Sequence, residues 1–265
     1  MNQLNTDTDE VNFAVRLAHK AGKTALSMFR KQLKIKLKND LSPVTMVDQE
    51  VERIIREEIK NQFPHHGFLG EEHGSYNLDA DDIWIIDPID GTRSFITGWP
   101  IWGTLVAKTQ HGKPTIGIIE IPATKEQWVG VSGKGCKYVG NNSMPQITNV
   151  SNCRLISESR FYTTSILYFD DLDRVAIEKI MHLSSVPRFG GDCYSYGLLA
   201  SGHVDLVIEA QLEPYDFMAL VPVVEESHGI ITDWMGKALN IKSDGRVIAA
   251  ATPELHAEAL AILNN

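Results

Sequence analysis

The sequence predicts an α/β fold whose first half is α+β and whose second half alternates strand and helix. Three observations point there. Two segments with helical apolar spacing open the chain. Short β-rich runs cut by Gly and Pro follow Phe63-Pro64. From about residue 151, strand-like and helix-like stretches alternate. A run of short, turn-separated strands suits a mostly antiparallel sheet, and alternation suits a mixed sheet with helices.

Residues 9–31 carry Val11, Ala14, Val15, Ala18, Ala25 and Phe29 at helical spacing. A second helix is expected to start near Thr45 and Asp48, with Val51, Ile54, Ile55 and Ile59 on one face. Between them, Lys38-Asn39-Asp40-Leu41-Ser42-Pro43 is turn chemistry. Strands are expected at Ile83–Ile86, Thr104–Lys108, Thr115–Ile121, Gln127–Val131 and Cys136–Val139. Residues 130–135 fail the P-loop pattern and read as a hairpin. A boundary is expected near 150, around Asn141–Gln146, dividing the chain into 1–150 and 151–265. Beyond it the expectations are a strand near Arg154–Ser157, a helix at 172–183, a helix at Tyr196–Ala200 and a strand at Val204–Glu209. A helix at Asp216–Ser227, strands at Ile230–Thr232 and Val247–Ala250, and a last helix at Pro253–Leu263 follow. Pro222 inside the Asp216–Ser227 segment predicts a kink or an earlier break.

With 265 residues, 43% of them hydrophobic, the chain can bury a real core. A formal net charge of −9 argues against a nucleic-acid binder, which needs a basic footprint. Three cysteines, Cys136, Cys153 and Cys193, with no C-x-x-C pair, suit a reducing cytoplasm. No signal peptide and no membrane-length apolar run are apparent.

The chemistry is concentrated in Trp84-Ile85-Ile86-Asp87-Pro88-Ile89-Asp90-Gly91-Thr92, an apolar run that ends in two acids. Asp, Pro and Gly are ordinary turn residues, and a strand-ending turn alone would account for them. Three further places change that reading. Gly70-Glu71-Glu72 follows Phe68-Leu69, Asp48 stands at a helix start, and Tyr215-Asp216 begins a second helix. Converging at one cleft, these carboxylates would repel by roughly 4 kcal/mol per pair at about 4 Å and an effective dielectric of 20. Divalent cations remove that repulsion, and an all-oxygen ligand set suits Mg²⁺ or Mn²⁺ rather than zinc. The nine histidines form no H-x-H or H-E-x-x-H pattern. Pro88 would stiffen a turn that turns Asp87 and Asp90 toward the same ions and leaves the Ile89 carbonyl free. The amides of Gly91 and Thr92, at the start of a short helix Thr92–Ile96, would hold an anion. Metal ions beside an anion site mean phosphate chemistry.

Taken in order, these motifs resemble the signature of the inositol monophosphatase superfamily, Mg²⁺-dependent phosphomonoesterases, across residues 10–262. Within it the chain most resembles histidinol-phosphate phosphatases of the inositol-monophosphatase type. The carrying residues are Gly91-Thr92-Arg93-Ser94-Phe95, Pro100-Ile101-Trp102-Gly103, the 188–194 stretch from Arg188 to Tyr194, Pro214-Tyr215-Asp216 and the 232–236 stretch from Thr232 to Gly236. The resemblance implies an αβαβα sandwich, two or three Mg²⁺ ions with Mn²⁺ able to substitute, a small phosphomonoester as substrate, a role in histidine biosynthesis and a homodimer. It implies that Glu71, Asp87 and the Ile89 carbonyl hold one metal and that Asp87, Asp90 and Asp216 hold a second. Thr92, with Asp48 or Glu71, would orient the attacking water, and no protein nucleophile is expected. It also implies a substrate-contacting acid at Glu209, with Asp192 and Arg93 as further substrate-side candidates.

Plain explanations exist beside these. Gly190-Gly191-Asp192 reads equally as a turn, and Arg93 as an exposed charge. Cys193 reads as a packed thiol, and Trp99 and Trp102, flanking Pro100, read as walls of the cleft or, the favoured reading, as core. A phosphoaspartate enzyme needs D-x-D-x-[TV], which would put its nucleophile at Pro88, so that reading fails on spacing. An inositol-phosphate phosphatase, a sugar or nucleotide phosphatase of the same superfamily, and a non-catalytic metal-binding regulator remain as alternatives.

Overall fold

The computed structural model describes residues 8–32, 35–37, 43–141 and 144–265. Helix α1 (Thr8–Leu26) and a small hairpin of β1 (Ile35–Leu37) and β2 (Pro43–Thr45) lead into α2 (Met46–Gln62). An eight-stranded sheet follows. It is built from β3 (Gly67–Gly70), β4 (Gly74–Tyr76), β5 (Asp82–Asp90), β6 (Gly103–Gln110), β7 (Lys113–Ile121), β8 (Glu126–Val131), β9 (Gly135–Val139) and β10 (Gln146–Ile147). The short α3 (Thr92–Thr97) leaves the end of β5. Sheet order is β10-β9-β8-β7-β6-β5-β3-β4, antiparallel throughout except for the parallel pair β3/β5.

The second half holds β11 (Arg160–Thr163), α4 (Asp171–Leu183), β12 (Val186–Phe189), α5 (Asp192–Ala200), β13 (Leu206–Glu209), α6 (Pro214–Phe217), α7 (Leu220–Glu225), β14 (Ile230–Thr232), β15 (Val247–Ala250) and α8 (Pro253–Leu263). Its five-stranded sheet runs β12-β11-β13-β15-β14 and is mixed, with β11 parallel to β12 and β13 and β15 antiparallel to its neighbours.

Three cores tie these elements into an αβαβα stack. In the first, Ala14, Leu17, Ala18 and Ala21 of α1 join Val51, Ile55 and Ile59 of α2 against Trp84, Ile86 and Val106. In the middle one, α5 and α7 lie between the sheets, with Tyr196, Leu199, Val223 and Val224 packed on Ile85 and Leu105 on one side and Val207 and Ala249 on the other. The last gathers Ile177 and Ile180 of α4 and Leu255 and Ala259 of α8 on Leu206, Ile208 and Ile248. Strand β5 serves two cores by its two-residue period. Ile83 and Ile85 face the inner helices, whereas Trp84 and Ile86 face the outer ones.

Several expectations are corrected. The first helix stops at Leu26, and turns follow in which Arg30 has a positive φ of 59°. The stretch Arg154–Ser157 is not a strand. Ile156–Glu158 is a single 3₁₀ turn, and the strand begins at Arg160, where Asp205 takes its backbone N–H and its guanidinium. Helix α5 starts at Asp192 rather than Tyr196, and β13 starts at Leu206 rather than Val204. β12, at Val186-Pro187-Arg188-Phe189, carried no strand signal because it is an exposed edge strand containing proline. The Asp216–Ser227 helix is two short helices with the break before Pro222, which lies in the first turn of α7, where its missing N–H costs nothing. There α7 lies directly on the sheet. A Cβ on Gly117 would stand 2.1 Å from the Ala219 carbonyl oxygen, and one on Gly130 2.3 Å from that of Pro222. Residues 38–42 of the expected turn and residues 142–143 of the expected boundary lie outside those described. Among the described residues no helix is long and apolar enough to cross a membrane.

Candidate active site

Asp87 and Asp90 are three positions apart, which on a regular strand would send them to opposite faces. β5 avoids this with a bulge. Asp87 pairs with Leu105, but Asp90 pairs with Gly103, so one extra residue is absorbed at Pro88-Ile89. Both carboxylates therefore reach the inner side, while Ile89 packs in the outer core. Asp87 also caps its own turn, its Oδ1 accepting the Ile89 N–H at 2.9 Å.

Two other elements deliver acids to the same point. The parallel pairing of β3 with β5 sets Gly70 opposite Ile86, so Glu71 emerges beside Asp87 and hydrogen-bonds it. Asp216 sits in the first turn of α6, where its Oδ2 accepts the Glu213 N–H at 2.7 Å. Asp87, Asp90 and Asp216 each offer a carboxylate oxygen, and these atoms lie within 4.8 Å of one another. Among the described residues no lysine, arginine or histidine forms an ion pair with any of the three. The electrostatic consequence is visible in their proton affinities. Burial, then the charges of Glu71, Asp90 and Asp216, pushes Asp87 well above the usual carboxylate range. Burial and Asp192 push Asp90 up to about 8, against the opposing hydrogen bond from Cys193 N–H at 2.7 Å. Burial and Asp90 push Asp216 well up. An all-oxygen cluster that resists ionisation is a site fit for a hard divalent cation.

Behind the cluster, Asp48 is fully buried at the third position of α2. Its Oδ2 accepts the Thr45 N–H at 2.9 Å and the Thr45 hydroxyl at 2.5 Å, and its Oδ1 lies 3.5 Å from the Thr92 hydroxyl. The Thr92 Oγ1 also lies 3.2 Å from the Ile89 carbonyl oxygen. Gly91, at φ 78°, has no room for a side chain, because a Cβ would stand 2.7 Å from an Asp192 carboxylate oxygen. The space a Cβ would take is thus filled by Asp192. Asp192 reaches there through three consecutive positive φ values at Gly190, Gly191 and Asp192, and accepts the Ser94 hydroxyl at 2.5 Å.

A cleft of about 700 Å³ opens over this arrangement. Of the residues singled out from the sequence, Glu71, Asp90, Gly91, Thr92, Arg93, Asp192, Glu209 and Asp216 line it, whereas Asp48, Asp87 and Ile89 stand behind its wall. Glu209 is buried at the end of β13, its carboxylate held by the Thr164 N–H at 3.1 Å, the Thr164 hydroxyl and the Tyr196 hydroxyl at 2.9 Å. Burial lifts it to about 7 against those hydrogen bonds. Cys193 is buried, as a packed thiol should be. Trp102 is core, but Trp99 is 49% exposed and forms part of the cleft rim, its ring against Gly190, where a Cβ would stand 2.5 Å from it. The sequence reading passed over Glu213, Tyr168 and Thr164, which also line the cleft. It also passed over Glu52, buried beneath the Glu71 loop. Glu52 had a signal: an acid four residues after Asp48, among the apolar positions Val51 and Ile55 of a helix face.

The inositol monophosphatase family model matches residues 7–265. The chain belongs to that family. The bifunctional phosphatase IMPL2, chloroplastic, of Arabidopsis thaliana is 41% identical over 96% of this chain and 76% of its own length. A histidinol-phosphatase of Chlorobaculum parvum is 33% identical over 91% of this chain and 92% of its own. Among solved structures, an inositol monophosphatase from Zymomonas mobilis superposes with a TM-score of 0.87 at 39% identity, covering 97% of this chain and 98% of that one. Family membership makes the chain a phosphatase acting on small phosphomonoesters, and its sandwich is the family's fold.

Proposed function

We propose that this phosphatase hydrolyses histidinol phosphate to histidinol with Mg²⁺ as its metal. The observation that carries the substrate is the charge of the cleft beyond the acidic cluster. Asp192, Glu209 and Glu213 line it, and among the described residues Arg93 is the only lysine or arginine that does. A leaving group with an ammonium and an imidazole matches such a wall better than one offering neutral hydroxyls. Glu209, poised near 7, ionises fully once an ammonium docks beside it. The similarity to a histidinol-phosphatase supports the reading.

Glu71, Asp87 and the Ile89 carbonyl would hold one ion, and Asp87, Asp90 and Asp216 a second. Bound Mg²⁺ supplies a Lewis acid that activates water and neutralises charge on the phosphoryl group. The chain's own residues prepare the rest. The Thr92 hydroxyl gives its single proton to Asp48 or to the Ile89 carbonyl, so its oxygen keeps a lone pair with which to orient an attacking water. Asp48 holds that geometry because both its oxygens are committed. The Gly91 and Thr92 amides would meet the phosphate, and Arg93 at the rim would steer it. The protein would act in the cytoplasm as a homodimer, with a monomer in light scattering removing the latter.

A second reading, an inositol-phosphate phosphatase, is favoured by the similarity to the Zymomonas mobilis enzyme and by the ability of acids to bind sugar hydroxyls. A Mg²⁺ panel of histidinol phosphate, inositol 1-phosphate, fructose 1,6-bisphosphate and adenosine monophosphate separates them. Histidinol phosphate should give the highest kcat/KM; a much higher value for inositol 1-phosphate would overturn the substrate and leave the metal chemistry standing. Glu209→Gln should then raise KM for histidinol phosphate by about tenfold, the worth of one charge-assisted contact, and much less for an uncharged ester.

A further inference from the structure

Glu52 is a glutamate with no solvent exposure in the middle of α2, a costly position for a carboxylate. No lysine or arginine among the described residues pairs with it. Its partners belong to the loop after β3: Oε2 accepts the Glu72 N–H at 2.6 Å, Oε1 accepts the His73 N–H at 2.8 Å, and the His73 Nδ1 lies 3.3 Å from Oε1. The loop is pressed onto this carboxylate at Gly70, where a Cβ would stand 2.5 Å from the Glu52 Cδ and under 3 Å from both its oxygens. The two bonded amides directly follow Glu71, and Gly70 directly precedes it. Glu71 is therefore clamped on both sides by one buried side chain, while its own side chain lines the cleft.

Apolar packing would stabilise a helix face more cheaply than a buried carboxylate. What a carboxylate adds is two divergent acceptors for two converging N–H groups, which fixes the loop in orientation as well as position. Asp48 and Glu52 stand one turn apart on α2, so a single helix face holds both the Thr92 side of the site and the Glu71 side. We propose that Glu52 is a positioning residue that sets the Glu71 carboxylate for metal binding by gripping the Glu72 and His73 amides. This rests on the reading of Glu71 as a metal ligand, and the experiment separates the two.

Mg²⁺ and Mn²⁺ binding to the substrate-free protein is measured by calorimetry for the wild type, Glu52→Gln and Glu71→Gln, with circular dichroism as the fold check. A glutamine offers one carbonyl oxygen and turns an NH₂ toward the other amide. Glu52→Gln should weaken one metal site by about tenfold or more, as losses behind a ligand do. It should speed hydrogen exchange at the Glu72 and His73 amides, and activity should return as Mg²⁺ is raised, with KM for the phosphoester little changed. If Glu52→Gln is poorly folded, Gly70→Ala displaces the same carboxylate from above without removing it and should weaken the same site. Glu71→Gln weakening the site while Glu52→Gln or Gly70→Ala leaves metal affinity within twofold of wild type would overturn the positioning role. Glu71→Gln leaving metal affinity unchanged would overturn the ligand reading on which it rests.

Discussion

Strand β5 has an aspartate at each end, and the two ends behave as opposites. At its start, Asp82 meets Lys108 of the neighbouring strand at 2.8 Å, and Lys108 also meets Glu10 of α1 at 2.7 Å. Lys108 is almost wholly buried, yet the chain supplies both its counter-charges. At the other end, Asp87 and Asp90 meet Asp216 and Glu71, more negative charge, and the Ile89 and Cys193 backbone amides donate to them. The first end is electrically complete and serves stability. The second meets no cationic side chain among the described residues, and a cation from outside would complete it.

The contrast can be broken most forcefully at Asp90. Asp90→Asn keeps the shape but removes one charge from the cluster, and should cost roughly a hundredfold or more in kcat/KM, the worth of several kcal/mol of charge stabilisation. The chelated variant should melt no lower than the wild type, since the lost charge was repelled. A variant with unchanged activity, or one much less stable when metal-free, would show that Asp90 is structural.

The next effect is linkage. Asp90 goes from 3.8 to about 8 on folding, and Glu209 from 4.5 to about 7, so the metal-free folded state holds protons that the unfolded chain releases. The stability they contribute is present below about pH 4 and is lost as pH rises to 8. Asp205 has the opposite sign. Its burial is outweighed by hydrogen bonds from Arg160 and Ser151, which hold its carboxyl below 3.8, so its contribution is present above 3.8 and lost only in stronger acid. In chelator, the melting temperature should therefore fall between pH 5 and pH 8. Mg²⁺ at a hundred times its Kd should restore about 2.7 kcal/mol at pH 8. A metal-free melting temperature that does not move over this range would contradict the repulsion.

The smallest expected effect is at the completed end. Lys108→Met leaves Glu10 and Asp82 without their shared cation. Their side chains keep 14% and 25% exposure, so the cost should be about 2 kcal/mol, below that of a wholly buried pair. Denaturant unfolding would measure it, and kcat/KM per folded molecule should not change. Lost activity in a folded Lys108→Met protein would join the two ends that the comparison separates.

Much of this was legible along the chain because it is local. Residue type and strand ending placed carboxylates at Glu71, Asp87 and Asp90, and helix-start chemistry marked Asp48. The apolar spacing of α1 and α2 showed the outer helices, although the first ends at Leu26 and turns follow to Arg30. Other features were not legible. The bulge that brings Asp87 and Asp90 to one side depends on the partner strand, since only pairing with Leu105 and Gly103 reveals the extra residue. Asp192 filling the space a Gly91 Cβ would take, Trp99 on the rim and Glu52 under the Glu71 loop are likewise contacts between distant segments.

Ligand chemistry was thus written in the sequence, because whether an oxygen can bind a hard cation depends on the side chain that carries it. Electrical state was not, because it depends on what surrounds that oxygen in space. Asp82 and Asp90 are the same residue eight positions apart on one strand. One is neutralised by Lys108 from the adjoining strand. The other is raised to about 8 by burial and by Asp192, and is held by the Cys193 amide from 103 residues away. Burial and long-range neighbours set the free energy of a charge, and both come into being only when the sheets close over α5, α6 and α7.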